Sequence, residues 1–230
     1  MSPTTHGPIE KLSPRVWRVE GEVPRFPLKR VMTVVRLSDE RLLVHSAIVL
    51  EERAMQEIDA WGEVGFIVAP SRSHRLGAGP FKQRYPKAKV LCPPAARRKV
   101  AQVVPVDGVL ADFPTDERVR LELLDGTAAQ EGVLIVHDDA GTTLVFNDCI
   151  FNMPHPSGLI GWVLRYLTAS SGGPRISRVS RLVLIKDRRA FSAHLSRLAA
   201  IPDLVRVIVS HHLPIDHAPS EVLRALAASL

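Results

Sequence analysis

Three histidines and one aspartate sit where apolar, strand-like runs give way to polar loops. His74 follows residues 65–69, His137 follows 133–136, Asp148 follows 142–146 and His211 follows 204–209. A buried strand holds the residue at its end rigidly at a rim, where a reacting molecule can reach it. Imidazole and carboxylate are ligand types that zinc, iron and manganese accept, so several strands delivering such residues to one sheet edge could build a metal site. Each residue also has an ordinary role: Asp caps strand ends and turns, and a loop His bonds nearby backbone. His45, inside a strand, is expected to face a backbone or polar partner. Cys92 and Cys149 lie beside apolar runs without CxxC spacing, and read as buried free thiols rather than a disulfide or structural zinc. No HExxH, GxSxG or GxxxxGK[ST] occurs, so zincin, serine-hydrolase and P-loop chemistries lack their motifs.

Hydrophobic periodicity sets out the elements that would carry these residues. Residues 1–14, rich in Pro, Ser and Thr, read as a flexible lead-in, and 15–230 as a single domain. Residues 15–20 alternate like a short edge strand, followed by a loop broken by Pro24 and Pro27. Strands are expected at 31–37 and 41–50, and a helix at 51–61 with Met55 and Ile58 on one face, closed by Gly62. Residues 65–69 form a buried strand running into Pro70 and the loop SRSHRLGAG. A helical turn at 80–85, a short strand at 89–91 and a helix started by Pro94, carrying Arg97, Arg98 and Lys99, come next. A half-exposed strand at 118–124 precedes the hairpin 133–136 and 142–146.

The last third is more helical. An apolar helix at 158–168 is broken by Ser170-Ser171-Gly172-Gly173. Arg175, Arg178 and Arg181 would share a face if their segment is helical. An amphipathic helix at 189–200, a strand at 204–209 and a closing helix at 220–230 complete the chain. Hairpins early and an αβα order late point to an α/β fold with a mixed sheet.

Hydrophobic residues make up 46% of the 230 and charged residues 23%, the balance of an ordinary soluble protein. The net charge of +6 is scattered, with neither a basic block nor interleaved aromatics, which argues against a nucleic-acid partner. The N-terminus lacks the pattern of a secretory leader. No run approaches the roughly 20 apolar residues of a spanning helix; the nearest, 158–169, contains Arg165. A cytoplasmic protein with no membrane partner is expected. Trp162 and Tyr166, four apart on the apolar helix, could line a cleft or a homodimer interface.

Four segments, VVRLSDERLLVHSAIVL, FIVAPSRSHRLGAGPFKQRYPKAKVLCPP, TTLVFNDCIFN and VIVSHHLPI, resemble in type and order the metallo-β-lactamase fold superfamily, over most of residues 31–215. The resemblance implies an α/β four-layer αββα sandwich with its site at one edge of the two sheets. It also implies which residues would act. The superfamily's HxHxDH loop falls on SRSHRLGAG, where Ser71, Ser73, Arg75 and Leu76 occupy the ligand positions and Ala78-Gly79 replace the usual glycine pair. His74 is left as the loop's one candidate ligand, one residue out of register. LVFND is similar to the family's strand ending in Gly-Asp, making Asp148 the equivalent of its bridging carboxylate. Ser210-His211 matches the final Gly-His pair, with His212 the lesser substitute, and the region DGTAAQEG has no counterpart to the intervening His.

Metal ligands are therefore expected at His74, Asp148 and His211, with none bound or one divalent zinc, iron or manganese. A full dinuclear set needs more ligands than these. Two readings stay open. One is a mononuclear metal-dependent hydrolase. The other is a metal-free member of the fold that binds a small-molecule ligand or a partner, with Arg72, Arg75 and the Arg175, Arg178, Arg181 series as cations. In the second, Arg75 would pair with Asp148 where a metal would otherwise sit.

Overall fold

The computed structural model describes residues 4–23 and 28–230. The first sheet takes its strands in chain order: β1 (Glu10–Lys11), β2 (Val16–Glu22), β3 (Lys29–Arg36), β4 (Leu42–His45), β5 (Val64–Val68), β6 (Lys89–Cys92) and β7 (Gly108–Val109). The early strands pair antiparallel, and β4 through β7 run parallel. The chain then makes a meander of β8 (Val119–Leu123), β9 (Gly132–Asp138) and β10 (Gly141–Val145), and a small ribbon of β11 (Phe151–Met153) with β12 (Gly173–Arg175). β13 (Leu204–Ile208) returns parallel to β10, giving a second sheet ordered β13-β10-β9-β8.

The apolar runs are continuous because both faces of their strands are covered. In β9, Leu134 and Val136 join Val35, Leu43, Phe66, Val68 and Ile208 in the layer between the sheets. Val133 and Ile135 point the other way, with Leu144 and Phe146, against α5 (Arg188–Ala199) and α6 (Pro219–Ala228). Burying each such side chain stabilises the fold by about 1.5–3 kcal/mol relative to exposure. On the far side, Val34, Val44 and Ile67 meet Met55 and Ile58 of α1 (Glu52–Trp61) and Phe81 of α2 (Ala78–Arg84). The short α3 (Arg97–Val100) adds Val100 to that cluster. The result is the expected αββα order of layers.

Local departures have physical causes. The strand expected at 41–50 stops at His45, because Ser46 turns with φ +59° and its N–H reaches Val68 O at 3.0 Å. β2 is flanked on both sides, so it is not an edge strand. The expected lead-in is, over residues 4–14, laid along the sheet: β1 pairs with β2, and Thr4 N–H donates to Val49 O at 2.8 Å. The Pro24 and Pro27 loop lies outside the described residues. The apolar helix begins as α4 (Gly158–Trp162) and widens to π geometry over Val163–Leu167.

The arginine series does not form a face. Arg175 ends β12, Arg178 lies in a loop and Arg181 sits in a second π turn, Ser180–Leu184, each bonded to a different carbonyl. Among the described residues no helix is long and apolar enough to cross a membrane.

Candidate metal centre

The carboxyl ends of β4, β5, β10 and β13 open on one rim, the usual place for ligands in sheets with parallel strands. Backbone ties the two sheets there, Val31 N–H donating to Ser210 O at 2.9 Å. His74, in the loop after β5, is buried and brings Nε2 to 3.1 Å from Asp148 Oδ1. His211, after β13, brings its own Nε2 to 3.3 Å from the same oxygen. Among the described residues these three form the one group able to hold a metal ion, with ligand atoms all within 4.8 Å of one another. His137 is not part of it. It bonds Thr142 Oγ1 at 2.9 Å at the opposite end of the β9–β10 hairpin. His212 turns to Lys29, whose N–H it accepts at 3.3 Å.

Each of the three candidate ligands has a support. His211 Nδ1 lies 2.9 Å from Lys29 O, and Phe151 stacks on its ring with centroids 5.3 Å apart. His74 Nδ1 lies 3.1 Å from Ser46 Oγ. Its loop is shaped by the Ser71 hydroxyl, which accepts the N–H groups of Ser73 and His74, both at 3.2 Å. Gly77 is required where the loop presses on strand-end backbone, since a Cβ there would overlap the Ala47 carbonyl.

Asp148 rests on a residue that sequence reasoning missed. Glu131, fully buried, accepts N–H groups from Asn147 at 2.9 Å, Asp148 at 3.0 Å and Cys149 at 3.1 Å. The available signal was a carboxylate placed directly before the apolar run 132–136, where no solvent-facing position remains.

Arg30 is the second residue missed. The metal-free reading expected Asp148 to pair with Arg75, but Arg75 instead donates to Arg72 O within its own loop. The cation whose field reaches Asp148 is Arg30, from β3, with Nη2 at 3.5 Å from Ser46 Oγ. A strand residue facing a hollow from the other sheet leaves no trace in a loop motif. Burial lowers the Arg30 guanidinium from its ordinary value and Asp148 draws it back up. Burial pushes the Asp148 carboxyl up, but the two imidazoles outweigh it and hold the group well below the usual carboxylate range. Burial also lowers His74, against the pull of Asp148, and takes His45 down to about 3. Burial raises Glu131, with the Asp148 charge adding to the effect.

Two hollows flank the cluster. One, of ≈ 320 Å³, is lined by Ser71, Arg72, Asp148, Phe151, Val179 and Val183. The other, of ≈ 390 Å³, is largely apolar, with Leu28, Ile48, Leu76, His74, His211 and Arg30 in its wall. Arg72 thus borders the first hollow, and Arg75 lines neither.

Solved structures share this arrangement of layers. A metallo-beta-lactamase from Pontibacter korlensis superposes with a TM-score of 0.60 at 14% identity, covering 98% of this chain and 100% of that one. DIM-1 metallo-beta-lactamase exposed to ceftazidime gives 0.64 at 12% identity over 100% and 99% of the two chains. A metallo-beta-lactamase from Erythrobacter litoralis, with beta-mercaptoethanol in its active site, gives 0.60 at 13% over 96% of each. The chain has a metallo-β-lactamase-like fold. Residues 24–98 match a family model described as a domain of unknown function, DUF4336. No curated protein matches the sequence.

The three candidate ligands of this metallo-β-lactamase-like chain suit a divalent cation. Two ligands each about 2.0–2.1 Å from a tetrahedral zinc stand roughly 3.3 Å apart. The Asp148 oxygen is already 3.1 and 3.3 Å from the two imidazole nitrogens.

Proposed function

We propose that the chain is a hydrolase dependent on one divalent metal ion, held by His74, Asp148 and His211. The observation that carries this reading is the orientation of His211. Its Nδ1 faces the Lys29 carbonyl, which can only accept, so the proton belongs on Nδ1. In the neutral ring Nε2 then presents a lone pair to an ionised carboxylate at 3.3 Å. Such a contact repels unless a cation or a proton lies between the two groups. A backbone carbonyl on the far nitrogen is also the usual way a metal-binding imidazole is oriented.

A divalent ion in such a site supplies a Lewis acid that lowers the pKa of water toward neutrality. The protein's part is to hold the ligands, through Lys29 O, Ser46 and Glu131, and to seat the substrate. Arg30 offers a buried Nε without a partner among the described residues, at the wall of the apolar hollow. That supports a substrate with an anionic group beside an apolar body. Arg72 provides a second cation on the other side. The fold is no guide to the bond cleaved, so lactams, esters and phosphoesters are all candidates.

The metal-free reading draws on the same pairing, with His211 protonated in place of a metal. Elemental analysis of the purified protein separates the two. Near one equivalent of zinc, iron or manganese, lost in both Asp148→Ala and His211→Ala, is expected, together with metal-dependent turnover of an anionic ester or phosphoester. No bound metal, and no thermal shift on adding any, would rule the hydrolase out.

A further inference from the structure

Between Asp148 and Asp187 the sequence contains no acidic residue, yet it carries Arg165, Arg175, Arg178, Arg181 and Lys186. None of these cations makes an ion pair among the described residues. Their hydrogen bonds go to neutral groups, Arg178 to Tyr166 O at 2.9 Å, Lys186 to Leu182 O at 3.3 Å and Arg181 to Ser229 Oγ at 3.0 Å, which leaves the charge uncompensated. The same segment exposes large apolar side chains. Leu159 is 79% exposed and Leu182 72%, and Trp162, Tyr166, Leu167 and Val179 are exposed as well. The two stretches are adjoining: Arg178 N–H donates to Thr168 O at 2.8 Å, and Arg165 lies over the Tyr166 ring at 5.1 Å. Contiguous apolar surface of this kind marks an interaction site.

We propose that this face docks peripherally on an anionic lipid surface. Exposed Leu, Trp and Tyr sharing a face with unpaired cations are the composition of elements that lie at a membrane interface, the apolar side chains entering the headgroup boundary and the cations meeting lipid phosphates. A second copy of the chain fits less well, because a self-complementary contact would bring like-charged arginines together with no carboxylate between them. The expectation of no membrane partner came from the lack of a spanning helix, and surface docking needs none. Val179 and Val183 also line the ≈ 320 Å³ hollow, so the docked face would lie at the mouth of the candidate site.

The test uses the full chain with vesicles of phosphatidylcholine alone and of phosphatidylcholine with phosphatidylglycerol. Co-sedimentation with the anionic vesicles, weakened by high salt, is expected. Trp162 should report it by a blue shift absent in Trp162→Phe, since Trp17 and Trp61 are stacked on each other at 3.8 Å. Arg165→Gln should lower partitioning roughly fivefold, and Leu159→Ser with Leu182→Ser should lower it further while the circular dichroism stays unchanged. Failure to bind either vesicle, or equal binding to both, would overturn the proposal. So would a dimer in sedimentation equilibrium that the two Leu→Ser changes dissociate, because the face would then belong to a second copy.

Discussion

The loop after β5 and the loop after β10 reach one cluster from different sheets, and they are held by different means. The first is a local turn. Ser71 organises it through its own neighbours, and His74 is steadied by Ser46. The second is part of the interior. Glu131 receives three consecutive backbone N–H groups, Ser180 Oγ donates to Asp148 O at 2.7 Å, and Ser210 bonds Asn147. A local turn can change its side chains at small cost, whereas a buried network must satisfy every member. The two loops differ in the same way against the fold resemblance: the β10 loop carries Asp148 at the position it implies, and the β5 loop carries His74 one residue out of register.

The sharpest way to break the contrast is at Asp148, the residue both loops share. Asp148→Ala should lower metal affinity by more than about 100-fold, since even supporting partners of ligands contribute 10–100-fold; isothermal titration with zinc checks it. An unchanged affinity would remove the site.

Acid should act on the β4–β5 side next. His45 titrates near 3 when folded and near 6.5 when unfolded. The unfolded chain therefore binds more protons between those values, and stability falls as pH drops through that window. The loss should be on the order of 4 kcal/mol by pH 3, measured by urea unfolding, and His45→Gln should flatten it.

Glu131→Gln probes the β10 loop. An amide cannot accept at both ends, so its NH₂ would oppose one of three N–H donors. A cost of about 1–3 kcal/mol is expected, with weaker metal binding through a displaced Asp148. Because burial raises the Glu131 carboxyl from 4.5 to about 8, the folded state binds more protons between those values and stability falls as pH rises across that window, so the variant should lose this slope.

The β5 loop should respond less. Ser46→Ala removes the partner of His74 Nδ1 and should weaken metal binding roughly tenfold, the lower end for such supports. Smallest of all is Arg75→Gln. Because Arg75 bonds within its own loop, metal affinity should stay within about twofold, or 0.4 kcal/mol. A large gain in affinity would restore the expectation that Arg75 opposes a metal at Asp148.

The layers of this fold were legible in the chain because burial on both faces leaves a direct mark. The runs 31–37, 65–69 and 133–136 lack strict polar alternation, and a strand forms over most of each. The ends of the runs 65–69, 142–146 and 204–209 marked His74, Asp148 and His211. What the chain alone left open was which of its strand-end histidines meet. His74, His137 and His211 occupy equivalent places in sequence, and only the direction of β9 against β10 sends His137 to the far end. Charge pairing was equally hidden. Arg75 is next in sequence to the candidate ligand His74, but Arg30 faces the cluster, because proximity to a carboxylate is set by how two sheets stack. Glu131 lies 17 residues from Asp148 in sequence and 3.0 Å from its amide in space. Hydrophobic pattern is local and can be read along the chain, whereas a buried charge takes its meaning from groups that packing brings to it.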